Sequence, residues 1–541
     1  MHTISLSHCR PAALERFYSG FRFPRAICIL LWVCAFSHAG AAIYDLNDTS
    51  RKLRLNIPDS VLVVRGILVY GNGAGGDSTG QATNSQLVAV AESIGFAVLA
   101  TGNWGNFPAD SEINYFESRI AQFAGASGHP ELINAPWLPM GHSNGGQMSY
   151  GMNAKRPHKV IGFITSKGCC YNFPMPVEAA LLTPGMLIAG QIDTEVRRTN
   201  IKALFTNNRP RGALWAWVEE ENSGHEEGAS QELILAFLLE CYRLRYPSDQ
   251  STLAGPIVLK NLNAYDGWLV DQTTWNSGFT KIFPYEEAPG NPKAYGWVPN
   301  ERIARIYQTF SSYGKASTSA AGSSGVLAGP GNVTYNVNLT GLNWTSVEFF
   351  EGKRKVGEAT PAGGNTPAVS YAATEGRLYS NLGVVTMSDG SKKATPLRRV
   401  FVKGPKPASA FQRWAATNLP AVQAGPNDVL FGDGITNLMR FAFSLGTARD
   451  FPKENLPVAS IETIDGANYL QWTYQIDEAA IAAGLNVMPE TSADLSAWRR
   501  TAGVDGLTNP LAHRVGNVVT VRLPTAASAG FVRMKISDTS E

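Results

Sequence analysis

Between Ile43 and about Tyr246 the apolar positions switch repeatedly between two patterns. Short, nearly unbroken apolar runs stand at Arg65–Gly71, Phe96–Thr101, Trp137–Met140, Val160–Thr165, Met186–Gly190 and Ala213–Val218, and each predicts a strand. Between them the spacing becomes helical. Ser85–Ile94 puts Leu87, Ala91 and Ile94 on one face, and Ser111–Phe123 does the same with Ile113, Phe116, Ile120 and Phe123. A helix is expected from Asn144, and Gln231–Tyr242 reads as a closing helix. Strands alternating with helices predict the α/β class, with a mostly parallel sheet covered by helices on both faces.

The pattern then changes. Pro247 to Tyr313 is aromatic, rich in turn residues and without clear period. Its Tyr265, Trp268, Trp275, Tyr285, Tyr295 and Trp297 suit either a cap over a substrate cleft or a satellite core. Lys315–Gly325 (KASTSAAGSSG) has the composition of a linker. Val326–Lys403 reads as all-β, with Val333, Tyr335, Val337 and Leu339 at period two. Phe411–Leu445 looks helical, and strands return after Pro457, clearest at Tyr469–Tyr474, Asn517–Leu523 and Phe531–Ile536. These changes divide the chain into 1–41, 42–247, 248–314, 315–325, 326–404 and 405–541. An α/β unit is thus expected to precede C-terminal all-β sandwich modules.

Residues 1–41 carry the marks of a cleaved export signal. Arg10, Arg16, Arg22 and Arg25 precede an apolar run over Ala26–Phe36, and Ala39-Gly40-Ala41 supplies small residues at the cleavage positions. The expected location is secreted, periplasmic or on the cell surface, with an uncleaved anchor as the alternative. No later stretch approaches the roughly 20 apolar residues of a membrane span, so no integral membrane segment is expected in the mature chain. With 46 Lys+Arg against 44 Asp+Glu the net charge is +2, without the basic excess a nucleic-acid partner requires. After removal of the signal, Cys169, Cys170 and Cys241 remain; one bridge between Cys241 and either of the others, or a set of buried thiols, are both open. No C-x-x-C pair or other metal or cofactor motif is present, so neither a metal nor a cofactor is expected.

The chemistry is carried by Gly141-His142-Ser143-Asn144-Gly145, a G-x-S-x-G match with an apolar strand before it and a helix after it. In that context Ser143 is the candidate nucleophile, held on a sharp turn with glycines leaving it room. A serine hydroxyl needs a base. Of the four histidines in the region, His142 lies inside the turn, His129 precedes the serine, and His158 sits in a basic loop at the far end of the following helix. His225, in Ser223-Gly224-His225 after the Ala213–Val218 strand, has the right chain order and the right kind of loop. The orienting acid belongs on the loop after Met186–Gly190, where Asp193 is the candidate and Glu195 its rival. Trp104, in the loop after Phe96–Thr101, suits stacking on a substrate group or packing on the core equally; Trp215 and Trp217 alternate within a strand and suit the core.

On these residues, 43–246 resembles the α/β-hydrolase superfamily, in particular exported esterases of the polyhydroxybutyrate-depolymerase and feruloyl-esterase-like kind. Gly71-Asn72-Gly73-Ala74-Gly75-Gly76 stands where that family carries its H-G-x-G-G loop, with Asn72 in place of the usual His. The resemblance implies an oxyanion hole made by the N–H groups of Ala74 and Asn144. It also implies acyl-enzyme chemistry on an ester substrate, either a plant-polysaccharide ester or a polyester. A catalytically silent fold used for adhesion or glycan binding, and a lipase or peptidase on the same fold, are the competing readings. Further along, Val347-Glu348-Phe349-Phe350-Glu351-Gly352 resembles a strand–turn–strand of bacterial immunoglobulin-like modules. Asp433-Gly434-Ile435-Thr436-Asn437-Leu438 resembles a signature of C-terminal modules in exported bacterial proteins. Val429, Phe431 and Arg440 replace its calcium-binding acids, leaving too few oxygens for the ion. Such modules imply polysaccharide or cell-surface contact.

Overall fold

The apolar runs assemble into two sets of strands that meet edge to edge. In a computed structural model, β1 (Ala42–Asn47), β2 (Lys52–Ile57), β3 (Gly66–Gly71), β4 (Phe96–Gly102) and β5 (Trp137–Gly141) form a sheet in the order β1-β2-β4-β3-β5. A second set runs β6 (Phe163–Ser166), β7 (Gly185–Gly190), β8 (Trp215–Glu220). Parallel bridges Trp137↔Val160 and His142↔Ser166 join β5 to β6, which makes the eight strands continuous. Strand β2 is antiparallel to β4, and β3 to β8 pair in parallel. Every residue of β3, β4, β5, β6 and β7 is buried, as expected of parallel strands covered on both faces. The structure describes residues 42–538, apart from 49–50, 105–109, 169–175, 249, 405–409, 421–422, 426, 478–479, 481–484, 493–498, 501–511, 516–517 and 525–530. The expected export signal, Cys169 and Cys170 therefore lie outside the described residues.

Helices α1 (Ser85–Ile94), α2 (Asp110–Ser127), α3 (Asn144–Lys155), α4 (Glu195–Asn208) and α5 (Ser230–Arg245) connect or close the strands. The chain leaves β3 toward β4 on one side and returns to β5 on the other. Right-handed crossovers then put α1 on one face and α2 and α3 on the opposite face. The reversal opens a crevice between the carboxyl ends of β3 and β5, the usual place for a ligand in a sheet of this kind. Asn84 starts α1 by accepting from the amides of Gln86 and Leu87, and Gly95 ends it in the left-handed conformation at φ 72°. Cys241, on α5, is a free buried thiol lying against Gly162. No helix among the described residues is long and apolar enough to cross a membrane.

Residues 248–314 were expected to lack periodicity, yet they contain the amphipathic helix α6 (Glu301–Ser311). Ile303, Ala304, Ile306, Tyr307 and Phe310 pack into the main core, and the Tyr307 hydroxyl donates to the Trp217 carbonyl on β8. The aromatic residues Tyr285 and Trp297 gather with Leu214 and Leu269 in a satellite core. Leu214 precedes β8, at the edge of the sheet opposite the strand carboxyl ends, so this cluster does not line a cleft at the latter.

The run 315–325, expected as a linker, is built into sheets instead. Lys315 donates to the carbonyls of Phe310 and Ser312 at 3.0 and 2.8 Å. Strand β9 (Ala320–Gly322) pairs with β11 (Gly331–Val337), and β10 (Gly325–Leu327) runs parallel to Arg398–Val402. Alternating side chains of β11 and of Trp344–Glu351 face inward, and Tyr335, Val337, Trp344, Val347 and Phe349 make a local core. The other surface of this all-strand region is not free. Leu378, Leu382 and Phe401 join the main core against the α1, α5 and α6 side. Glu351 pairs with Arg377 at 2.8 Å and with Arg302 of α6 at 3.4 Å. Burial alone would raise the Glu351 carboxyl, but the two guanidiniums outweigh it and hold the group at about 2.

The expected helix over Phe411–Leu445 is two short ones, Ala410–Asn418 and Asn437–Ala442. Pro420, Gly425, Gly432 and Gly434 break the stretch between them. Thr436 caps the second helix by accepting from the Met439 amide at 3.2 Å. Arg440 is wholly buried between Phe431 and Phe451, pairs with Asp433, and donates to the Ala448 carbonyl at 3.1 Å. Asn437 donates to the carbonyls of Gln423 and Gly425. An internal guanidinium thus neutralises the aspartate of this motif. Beyond it, Val458–Ile464, Ala467–Gln475, Val518–Pro524 and Ala512–Val515 pair antiparallel as one sheet.

Candidate active site

The turn after β5 is tight because glycines allow it to be. Ser143 adopts φ 57° and ψ −119°, a conformation costly for a residue with a Cβ. A Cβ on Gly145 would lie 2.1 Å from the Gly71 carbonyl oxygen, so helix α3 can approach β3 only with glycine there. The Ser143 amide donates to the Ser166 carbonyl at 2.9 Å, which fastens the turn to the end of β6.

Asp193 follows β7 and His225 follows β8, so both arrive at the same carboxyl edge as Ser143. His225 Nε2 lies 2.9 Å from Ser143 Oγ, and His225 Nδ1 lies 2.8 Å from Asp193 Oδ2. The loops that carry Asp193 and His225 are in close contact: a Cβ on Gly190 would fall 2.0 Å from the Gly224 oxygen, and the Ile192 amide donates to Ser223 O at 2.9 Å. The second Asp193 oxygen accepts from Arg197 at 2.9 Å and from the Thr194 amide at 2.7 Å. Burial pushes this carboxyl up, but donation from His225, Arg197 and Thr194 prevails and holds it below its ordinary value. Glu195 is exposed on the first turn of α4, while His225 Nδ1 is engaged by Asp193.

The strand order is that of the α/β-hydrolase fold. The serine stands on the strand-to-helix turn, and acid and histidine follow on later strands in the order that fold uses.

The glycine loop after β3 lies beside the serine. Gly73 is close enough that a Cβ on it would sit 4.0 Å from Ser143 Cβ. Asn72, where the resemblance has a histidine, is buried and organises the loop. Its Nδ2 donates to the Gly73 carbonyl at 2.7 Å, and its Oδ1 accepts from Thr101 at 2.8 Å and from the Trp104 amide at 3.3 Å. Ala74 is exposed next to it, and Asn144 is the first residue of α3, where backbone N–H groups and the helix dipole favour negative charge.

Trp104 is 1% exposed, so the stacking role is closed to it. Its ring packs edge-on against Tyr115 and Phe116, and its indole N–H donates to Glu112 at 2.9 Å. It contributes to the site through its carbonyl, which accepts from Asn144 Nδ2 at 2.8 Å. Trp215 and Trp217 are buried in the core. His129 contacts Glu131 at 2.8 Å, and His158 lies past the carboxyl end of α3, away from the serine.

Several residues of the site carry no sequence signal. His142 lies with its ring centroid 5.0 Å from that of His225 and donates from Nε2 to the His225 carbonyl. Burial, aided by the neighbouring His225 ring, pushes His142 below its ordinary pKa, and its bond to the His225 carbonyl opposes that shift. Tyr70 on β3 donates to Glu227 in the histidine loop. Arg197 is visible only as one turn beyond Asp193. Among the described residues no group of His, Cys, Asp and Glu is arranged to hold a metal ion.

No protein-family model matches the chain, and no curated protein matches it. Among solved structures it is similar to poly(aspartic acid) hydrolase-1 from Sphingomonas sp. KT-1, at 15% identity over 38% of this chain and 100% of that chain, TM-score 0.30. It is also similar to a thermostable esterase, at 17% identity over 34% of this chain and 55% of that one, TM-score 0.28. A third is an acetyl xylan esterase from Aspergillus awamori, at 13% identity over 36% and 99%, TM-score 0.28.

Proposed function

We propose that the chain is a serine carboxylic-ester hydrolase that works through an acyl-enzyme. The observation that carries the reading is the unbroken relay from Ser143 Oγ to His225 Nε2 and from His225 Nδ1 to Asp193 Oδ2, at 2.9 and 2.8 Å. Ser143 attacks the ester carbonyl carbon while His225 takes its proton. The carbonyl oxygen becomes an oxyanion facing the N–H groups of Ala74 and Asn144. His225 then protonates the leaving alcohol, and the C–O bond breaks to give acyl-Ser143. Water, deprotonated by His225, attacks that ester and releases the acid. Asp193, kept ionised by its three donors, holds the imidazole and stabilises the imidazolium that forms in each half.

The substrate is a plant-polysaccharide ester or a polyester, met outside the cell if residues 1–41 act as an export signal. Side-by-side assays on p-nitrophenyl acetate, methyl ferulate and polyhydroxybutyrate separate small esters from polymers. The decisive experiment is labelling with a fluorophosphonate followed by mapping of the modified residue. Label on Ser143, absent in Ser143→Ala, supports the reading. Label elsewhere, or full turnover by Ser143→Ala, refutes it.

A further inference from the structure

One buried cation lies beside the site, outside the relay. Lys167 follows β6, has φ 49° and is completely buried. Its ammonium pairs with Glu220 Oε2 at 2.8 Å and donates to Ser223 Oγ and to the Glu226 carbonyl. An ammonium has three N–H donors, and all three are spent on the segment that carries His225.

That segment is gripped at both ends. Glu220 is the last residue of β8, and its carboxylate accepts from the Ala229 amide and, at 2.7 Å, from Ser230 Oγ at the start of α5. Within the turn, Glu226 accepts from Ser223 Oγ at 2.7 Å and from the Gly224 amide at 2.9 Å. Lys167 therefore ties the beginning, middle and end of the loop through one atom.

The neighbours of Lys167 hold the other partner of the reaction. Ser166 accepts from the Ser143 amide, and Gly168 packs so close that a Cβ would lie 2.5 Å from the Ser143 carbonyl oxygen. Three consecutive residues thus touch the nucleophile's backbone on either side and the base's loop in between. We propose that Lys167 is a positioning residue that sets the spacing between Ser143 Oγ and His225 Nε2. This rests on the reading of those two as nucleophile and base. The left-handed backbone at Lys167 fits this role: such strain at a non-glycine residue persists only where its surroundings hold it.

The test uses the full chain and a soluble p-nitrophenyl ester. Lys167→Met lowers kcat about 100-fold with KM within about two-fold, because misplacing a base by roughly 1 Å costs that much without touching substrate binding. Fluorophosphonate labelling of Ser143 slows by the same factor. Since the single variant leaves Glu220 buried without its cation, the double variant Lys167→Met/Glu220→Gln, which buries no charge, is measured beside it and shows the same loss. Turnover and labelling at the wild-type rate in either folded variant overturn the proposal, as does a rise in KM with kcat unchanged. Failure of the underlying reading has a different signature: wild-type chain takes no label at Ser143 and Ser143→Ala retains turnover, and the positioning role falls with it.

Discussion

Asp193 meets His225 through one carboxylate oxygen and Arg197 and Thr194 through the other, which leaves no oxygen to spare. Asp193→Asn is expected to keep the shape and lose about 10⁴-fold in kcat, because an amide donor favours the wrong imidazole tautomer; steady-state kinetics check it. The same carboxyl has a folded pKa below its ordinary value. Its contribution to stability is therefore full above the ordinary carboxylate pKa and disappears as pH falls through the folded one. Melting curves taken between about pH 6 and pH 3 should show wild type losing more stability than Asp193→Asn. The meeting of Ser143, Asp193 and His225 was legible in sequence because each sits in a turn or loop that follows a parallel strand, at one edge of the sheet. Lys167 was not. A lysine before a glycine after a short strand has no periodic or motif signature, and its role exists only once β6 lies beside β8's loop.

At the level of elements, the turn between β5 and α3 depends on helix and strand approaching more closely than any side chain permits. Gly145→Ala places a methyl 2.1 Å from a backbone oxygen of β3. The expected result is a loss of at least about 3 kcal/mol, the upper range for overpacking, together with loss of turnover; chemical denaturation and an ester assay measure both. Strands β3 to β7 were readable because buried strands read as apolar runs, and β8 was readable from its apolar half, Trp215 to Val218. Strands β1 and β2 were not, since both mix charged with apolar residues, β1 as the edge strand and β2 next to it. Helix α4 was missed because Ile201 and Phe205 are nearly all it offers the core. Helix α6 was hidden for a different reason. Its apolar stripe is regular, but the tryptophans and tyrosines before it obscured the period. The supposed linker misled through composition: small polar residues suit a flexible tether and also suit short strands joined by tight bends.

Across the whole molecule, the strands after residue 315 complete the core of the α/β part rather than hanging from it. Glu351→Ala would remove the buried carboxylate shared by Arg377 and Arg302 at this junction, leaving Arg377 its pair with Glu375 and Arg302 its bond to the Leu378 carbonyl, and a loss of about 3 kcal/mol, the low end for a broken buried pair, is expected. Equilibrium unfolding in urea reads it. A chain ending at Tyr313 would leave apolar side chains of α1, α5 and α6 bare where Leu378, Leu382 and Phe401 now cover them. Such a fragment is expected to aggregate or to bind a hydrophobic dye, by contrast with the full chain. The same junction also sets a timetable. During synthesis the parallel sheet is complete with β8 and its helices with α6, yet the strands that shield those helices are made about 70–90 residues later. At about 5–20 residues per second that is an interval of several seconds or more. Throughout it the nascent chain carries a sticky flank, so its safe passage to the native state calls for a chaperone or a delay in collapse.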